Sequence, residues 1–390
     1  MIISPTEPLP ASGTRFGTPQ ILAALAFFLV ALIFLGWDLG SRPVDASELT
    51  LLHASRAVGP STPLFFHVAN EQWLQPLAVY ATALVDAAGG GDLSARIASV
   101  VVGAVDVGLV FVAMRLVVSA PAAAIATSVL LAMPAHMTLA RLGTDAIYPT
   151  PFVLVWLIGL LRFLQANSMV ALAVAAASLG VGVYSHPAAP LTMLWLGIVT
   201  VAVAVARQTS AVKNVLVVAT ALALPLAPAA VWFARFPETY GDTFGRWAVF
   251  AAHLRFPLDG LSAQVNWNTL ATRASIFWGL LDPSFLFFAG DGAGAAPLLV
   301  CCALLIPFGA WALLTRVHPL VRVAVLAAAV IPPMIGATFG QRDLAMSAPM
   351  LASLAIIAGY GMEAIAARSM RWMIVAIVLF AFSTYQLFAA

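Results

Sequence analysis

Charge is what this sequence has least of. Only 9% of its 390 residues are Asp, Glu, Lys or Arg, against about 25% in a soluble domain. A surface facing water cannot be built from so few charges, so the chain is read as a multi-pass membrane protein. Lysine is nearly missing: Lys213 is the single one, and every other basic residue is Arg. The net charge of +2 gives no argument for nucleic acid. Cysteine is limited to Cys301 and Cys302, adjacent in an apolar run. That placement implies neither a disulfide framework nor a metal motif. A Gly-rich phosphate loop, an HExxH and a paired CxxC are all lacking, as are internal repeats and low-complexity tracts.

What is there is apolar. Hydrophobic residues make up 62% of the chain, and mean hydropathy is +1.00. Runs near the roughly 20 residues that span a bilayer fall at 19–39, 93–118, 120–138, 146–164, 168–185, 187–206, 213–234, 295–315, 320–338, 344–366 and 371–389. The expected fold is therefore an all-α integral membrane protein of about eleven transmembrane helices. The first run is too long for a cleaved signal segment and reads as a retained helix. With the N-terminus inside, Arg15, Arg115, Arg162, Arg207, Lys213, Arg316, Arg322, Arg368 and Arg371 fall on the inner side, with only Glu7 and Glu363 as acids. Nearly every other acid falls outside, as the positive-inside rule requires.

Two outer loops are long, 40–92 and 235–294. In the first, 47–58 and 72–88 are apolar enough to lie as amphipathic helices on the membrane surface, before a Gly89-Gly90-Gly91 turn. The second is rich in Trp, Phe and Arg, which suits a membrane–water interface.

The polar residues cluster at the outer ends of spans. Asp45 and Glu48, three apart, share a helix face. Either they work on a proton, or Asp45 caps a helix with Glu48 as its N3 partner. Gln75 opens an amphipathic helix through Pro76. Arg96 is either a phosphate ligand or a snorkelling arginine. Arg141 and Asp145, in a very short loop, are either a pair or functional groups. Arg342 either meets an anion or pairs with Asp343. Tyr184 and His186 lie near the same surface. Asp106, inside a span, must face the bundle, with a hydroxyl or Arg115 as its expected partner. This pattern suits an interfacial enzyme acting on a lipid-linked phosphate. It suits a transporter less, since transporters concentrate polar groups at the midplane.

The order of these segments resembles the GT-C membrane glycosyltransferases, particularly bacterial relatives of protein O-mannosyltransferases and of the lipid A aminoarabinose transferase. The likeness runs from the first span to about residue 366. It is carried by Asp45-Ala46-Ser47-Glu48, Gln75-Pro76-Leu77-Ala78-Val79-Tyr80, Arg96-Ile97-Ala98-Ser99, Arg141 to Asp145, Gly180 to Ser185, Asp282 to Asp291, and Arg342 to Pro349 followed by Ala358-Gly359-Tyr360-Gly361. The departures are Gln75 where some relatives carry Lys, and a second acid displaced to Glu48. A C-terminal extracytoplasmic domain, present in many relatives, is not expected here.

The resemblance implies a GT-C-like catalytic domain over 1–366 followed by a last helix in 367–390. It implies inverting transfer of a sugar from a polyprenyl-phosphate donor to a protein, lipid or glycan acceptor outside a bacterial inner membrane. In that reading Asp45, Asp145 and Glu48 are catalytic, and Arg96, Arg342 and Arg141 bind donor phosphate. Gln75, Tyr184 and His186 contact substrate. No metal or other cofactor is expected. A flippase of lipid-linked sugars and a non-catalytic membrane subunit are the other readings.

Overall fold

In lipid a backbone must satisfy its own hydrogen bonds, and a single apolar segment can do so only as a helix. The computed structural model follows that rule. It describes residues 17–59, 66–68, 72–207, 210–235, 267–288, 296–340, 342–368 and 370–389. Along the chain, α1 (Thr18–Gly36) leads to the surface helix α2 (Ala46–Arg56). A short antiparallel pair follows, β1 (Phe66–Val68) with β2 (Gln72–Leu74), and then α3 (Pro76–Ala87). The bundle continues with α4 (Ser94–Arg115), α5 (Ala120–Ala132), α6 (Pro134–Arg141), α7 (Pro149–Ala166), α8 (Met169–Gly182) and α9 (Ala189–Ala206). α10 (Ala211–Ala223) and α11 (Ala227–Arg235) come next, then α12 (Trp267–Leu281) and α13 (Pro283–Phe287). The chain closes with α14 (Cys302–Arg316), α15 (Pro319–Thr338), α16 (Pro349–Ala366) and α17 (Met370–Ala389).

The two expected surface helices in the first loop are α2 and α3. The expected count of eleven spans is not confirmed. Among the described residues seven helices are long and apolar enough to cross a membrane, or eight if α5 and α6 form one bent span. Two of the remaining expected spans are helical but short. α8 has 14 residues and α14 has 15, about 21–23 Å at 1.5 Å per residue, below a 30 Å hydrocarbon core. The last expected span is α17, a helix of 20 residues. α14 starts late because residues 296–301 run as turns.

The break between α5 and α6 bends the chain by 57°. Pro134 stands at the first position of α6 and cannot donate into the preceding turn. The next amide, Ala135 N–H, donates to the Pro297 carbonyl at 3.1 Å. α16 is the most enclosed helix, with nearly every residue buried. It meets α14 through two glycines, where a Cβ at Gly309 would overlap the Ile357 carbonyl and one at Gly361 the Leu305 carbonyl. The Gly89–Gly91 turn is equally specific. Gly89 and Gly91 take φ of +96° and +58°, and a Cβ at Gly90 would sit 2.7 Å from Val85 and Ser94.

Asp106 is completely buried, and its partner is not the expected one. His136 Nε2, from α6, lies 3.7 Å from its Oδ2, while Arg115 donates to the Val118 carbonyl. The two cysteines are buried and free.

Candidate active site

One end of the bundle gathers the C-termini of α1, α6, α8 and α15 with the N-termini of α4, α7, α9 and α16, and α2 and α3 lie there too. Every candidate residue sits at this end.

The centre is a carboxylate. Glu48 and Arg96 are buried, and Arg96 donates to Glu48 from Nε at 2.9 Å and from Nη2 at 2.6 Å. The remaining N–H groups of Arg96 go to the carbonyls of Leu39, Arg42 and Pro43, at 3.0, 2.7 and 2.7 Å. All five guanidinium donors are thus spent within the protein. Arg96 fastens the first loop to α4 and keeps no N–H for a donor phosphate.

Glu48 is used as fully. Beyond Arg96, its Oε2 accepts from the Asp45 amide at 3.1 Å and its Oε1 from the Gly143 amide at 3.0 Å. Burial pushes the Glu48 carboxyl up, but the Arg96 and backbone donors outweigh it and hold it below its ordinary value. A carboxylate with this many donors is a positioning group, not a free base. One consequence concerns the two aspartates. Glu48 bonds the backbone of Asp45 on one side and, on the other, the amide two residues before Asp145. It therefore fixes both candidate acids to a common frame. Gly143 is required for that approach, since a Cβ there would lie 2.9 Å from the Ala95 side chain and 3.1 Å from Glu48. Ser99 adds a second tie by donating to the Thr144 carbonyl at 3.1 Å.

Asp45 caps α2. Its Oδ1 accepts from the Ser47 amide and hydroxyl and from the Glu48 amide, at 2.9, 2.6 and 3.0 Å. With Glu48 returning to the Asp45 amide, this is a complete capping box. Its Oδ2 meets only Arg42, at 3.3 Å, and the side chain is 43% exposed. One carboxylate edge therefore holds the helix and the other faces outward. The Ser47 hydroxyl, with the Glu48 amide, keeps the Asp45 carboxyl below its usual range.

Asp145 differs. It does not pair with Arg141, whose guanidinium donates to the Asp38 carbonyl at 3.2 Å. Its Oδ1 lies 3.9 Å from His186 Nε2. His186 Nδ1 accepts from the Ala188 amide at 3.2 Å, so the neutral ring carries its proton on Nε2, toward Asp145. Burial raises the Asp145 carboxyl against the pull of His186. Burial also lowers the His186 imidazole against Asp145 and Asp343. The two acids thus differ by environment: hydrogen bonds hold Asp45 below its ordinary value, and burial raises Asp145 above its own.

Gln75 is buried at the start of α3, and among the described residues its Oε1 has no hydrogen-bond partner. Next to it the Leu77 amide donates to the Tyr184 carbonyl at 3.3 Å. The Tyr184 hydroxyl donates to the Pro225 carbonyl at 2.8 Å and accepts from the Ala229 amide at 3.3 Å, so this phenol holds α11 in place.

Arg342 makes no ion pair with Asp343, whose Oδ1 accepts from the Ala345 amide at 2.8 Å. The exposed Arg342 guanidinium lies over the Phe285 ring, 3.9 Å from its centre, beside Gly279 of α12. Sequence reasoning passed over Arg273, in α12. Its Nε and Nη1 are buried with no acceptor among the described residues. Its signal was there, an Arg in the aromatic second loop, but that loop holds other arginines. Asp291 and most of residues 235–294 lie outside the described residues. Among the described residues no three metal-ligating side chains cluster.

Residues 74–232 match a family model described as dolichyl-phosphate-mannose-protein mannosyltransferase. The fold is similar to that of ArnT from Cupriavidus metallidurans bound to undecaprenyl phosphate, with a TM-score of 0.59 and 18% identity over 93% of this chain. It is also similar to the archaeal oligosaccharyltransferase AglB from Archaeoglobus fulgidus in complex with an inhibitory peptide and a dolichol-phosphate, with a TM-score of 0.54 and 13% identity over 95%. The chain spans 63% and 56% of the lengths of those proteins. No curated protein matches the chain in sequence.

Proposed function

We propose that this chain, whose fold is similar to those of ArnT and AglB, is a GT-C glycosyltransferase that moves a sugar from a polyprenyl-phosphate donor to an acceptor hydroxyl. In this reading the site faces the extracytoplasmic side of a bacterial inner membrane. The observation that carries the reading is the Glu48 frame, which ties two unlike carboxylates at the bundle end where the exposed Arg342 guanidinium lies over Phe285.

The acceptor oxygen attacks the anomeric carbon as the bond from that carbon to the donor phosphate oxygen breaks. The bonding electrons leave with the polyprenyl phosphate, so one displacement inverts the anomeric centre. Asp45 is the base or the acceptor-orienting carboxylate, through its outward Oδ2. Asp145, with His186 behind it, is the second acid. Arg342 and Arg273 neutralise the charge growing on the leaving phosphate, as guanidinium geometry suits. Arg96 and Glu48 position these groups. Arg141 is a lesser candidate for the phosphate, since one of its donors is already on the Asp38 carbonyl.

Asp45→Asn tests the reading, because Asn caps a helix about as well as Asp. Transfer from a polyprenyl-phosphate sugar in proteoliposomes is expected to fall by about three orders of magnitude, with the unfolding midpoint nearly unchanged. Wild-type turnover in that variant rejects the assignment of Asp45. Flipping of the donor without its consumption favours the flippase instead.

A further inference from the structure

At the opposite end of the bundle two arginines from different helices meet on one indole. Arg316 ends α14, and Arg368 follows the end of α16. Their guanidinium carbons lie 4.6 and 4.4 Å from the centre of the Trp311 ring, so they are within about 9 Å of each other. Arg368 also sits 5.9 Å from the Phe308 ring. Both arginines are exposed. Among the described residues no carboxylate forms an ion pair with either. Glu363, an acid at that end, accepts from the Ser119 hydroxyl.

Like charges separate unless something holds them together. Here both guanidiniums lie over one indole ring, whose negative face attracts each of them. Beside them α14 presents apolar surface to the bilayer: Trp311 is 37% and Leu314 51% exposed, three residues apart on one face. Two guanidiniums beside an exposed apolar strip suit an anion with a hydrocarbon tail.

We propose that Trp311, Arg316 and Arg368 form a binding site for the phosphate of an anionic glycerophospholipid. The guanidiniums grip the phosphate oxygens through paired N–H donors, and the acyl chains lie along Trp311 and Leu314. This site is separate from the sugar-transfer site and does not depend on it.

The test is binding of phosphatidylglycerol to the full chain in a neutral detergent, read by lipid retained in native mass spectrometry and by the shift in unfolding midpoint. Phosphatidylcholine and inorganic phosphate are the comparison ligands. Phosphatidylglycerol is expected to bind and stabilise, and the other two are not. Arg316→Gln with Arg368→Gln is expected to weaken binding about tenfold or more, and Lys213→Gln, the loss of another charge at the same end, is expected to leave it unchanged. If the double variant does not fold, Trp311→Leu serves. It keeps both charges, is expected to weaken binding, and is restored by Trp311→Phe. Equal stabilisation by inorganic phosphate overturns the lipid assignment. Equal losses in Lys213→Gln and the double variant reduce the site to general surface charge and overturn it as well.

Discussion

At the scale of the residue, the Glu48–Arg96 pair separates holding from reacting. Removing one partner of a buried ion pair costs about 3–5 kcal/mol. Glu48→Gln is therefore expected to lower stability by about that much, and Arg96→Lys is expected not to rescue function. An ammonium has three donors, where this position uses five. The Glu48 carboxyl is held below its ordinary value in the folded protein. Its stabilisation is thus complete above that ordinary value, 4.5, and is lost as pH falls below it through the folded pKa. Unfolding midpoints of wild type and Glu48→Gln are expected to converge on acidification. A constant difference down to pH 3 sinks the argument. Asp145 has the opposite sign, since burial raises it. The acid limb of transfer activity is expected above the ordinary aspartate value, and Asp145→Asn is expected to abolish that limb together with most of the activity.

The residue types at the site were legible in the sequence, but their partners were only partly so. The Asp45–Glu48 capping box follows from spacing alone, because N-cap and N3 are local positions. The task of Arg96 does not, because its partners include three backbone carbonyls whose positions depend on the first loop. Arg141–Asp145 and Arg342–Asp343 looked like pairs by proximity in sequence. Neither forms one, because in each case the backbone directs the two side chains to different neighbours.

At the scale of the element, glycine decides which helices touch. Gly309 and Gly361 let α14 and α16 approach until a methyl group has no room. Gly309→Ala is expected to destabilise the bundle by about 2 kcal/mol or more, through overpacking against backbone that cannot turn away. Thermal unfolding of the variant in detergent checks this, and an unchanged midpoint refutes it. The amphipathic helices α2 and α3 fell where 47–58 and 72–88 were expected, because apolar periodicity and proline placement are local signals. The short α8 and α14 did not, because hydropathy marks apolar residues without saying where turns cut into them.

At the scale of the whole molecule, the two ends of the bundle are chemically unlike. Among the described residues the end bearing Asp45 and Asp145 holds nearly all the acids, while the other carries Arg115, Arg207, Lys213, Arg316 and Arg368 against Glu363. The membrane class was legible from composition alone, since 9% charge admits no other solvent arrangement. In the proposed mechanism guanidiniums take the charge of the leaving phosphate. Transfer is therefore expected to survive EDTA with little change. A loss restored by added Mg²⁺ or Mn²⁺ contradicts that division of labour.

The bond from the Ala135 amide to the Pro297 carbonyl has a temporal meaning. While the ribosome is still making the later half, the amide at the break between α5 and α6 has no acceptor from that half. At about 5–20 residues per second, the wait for the chain to reach position 297 is roughly ten to thirty seconds. Until then a polar group stands uncompensated in an apolar surrounding, at a cost of several kcal/mol. In the finished bundle it is the later half of the chain that supplies the acceptor for this amide.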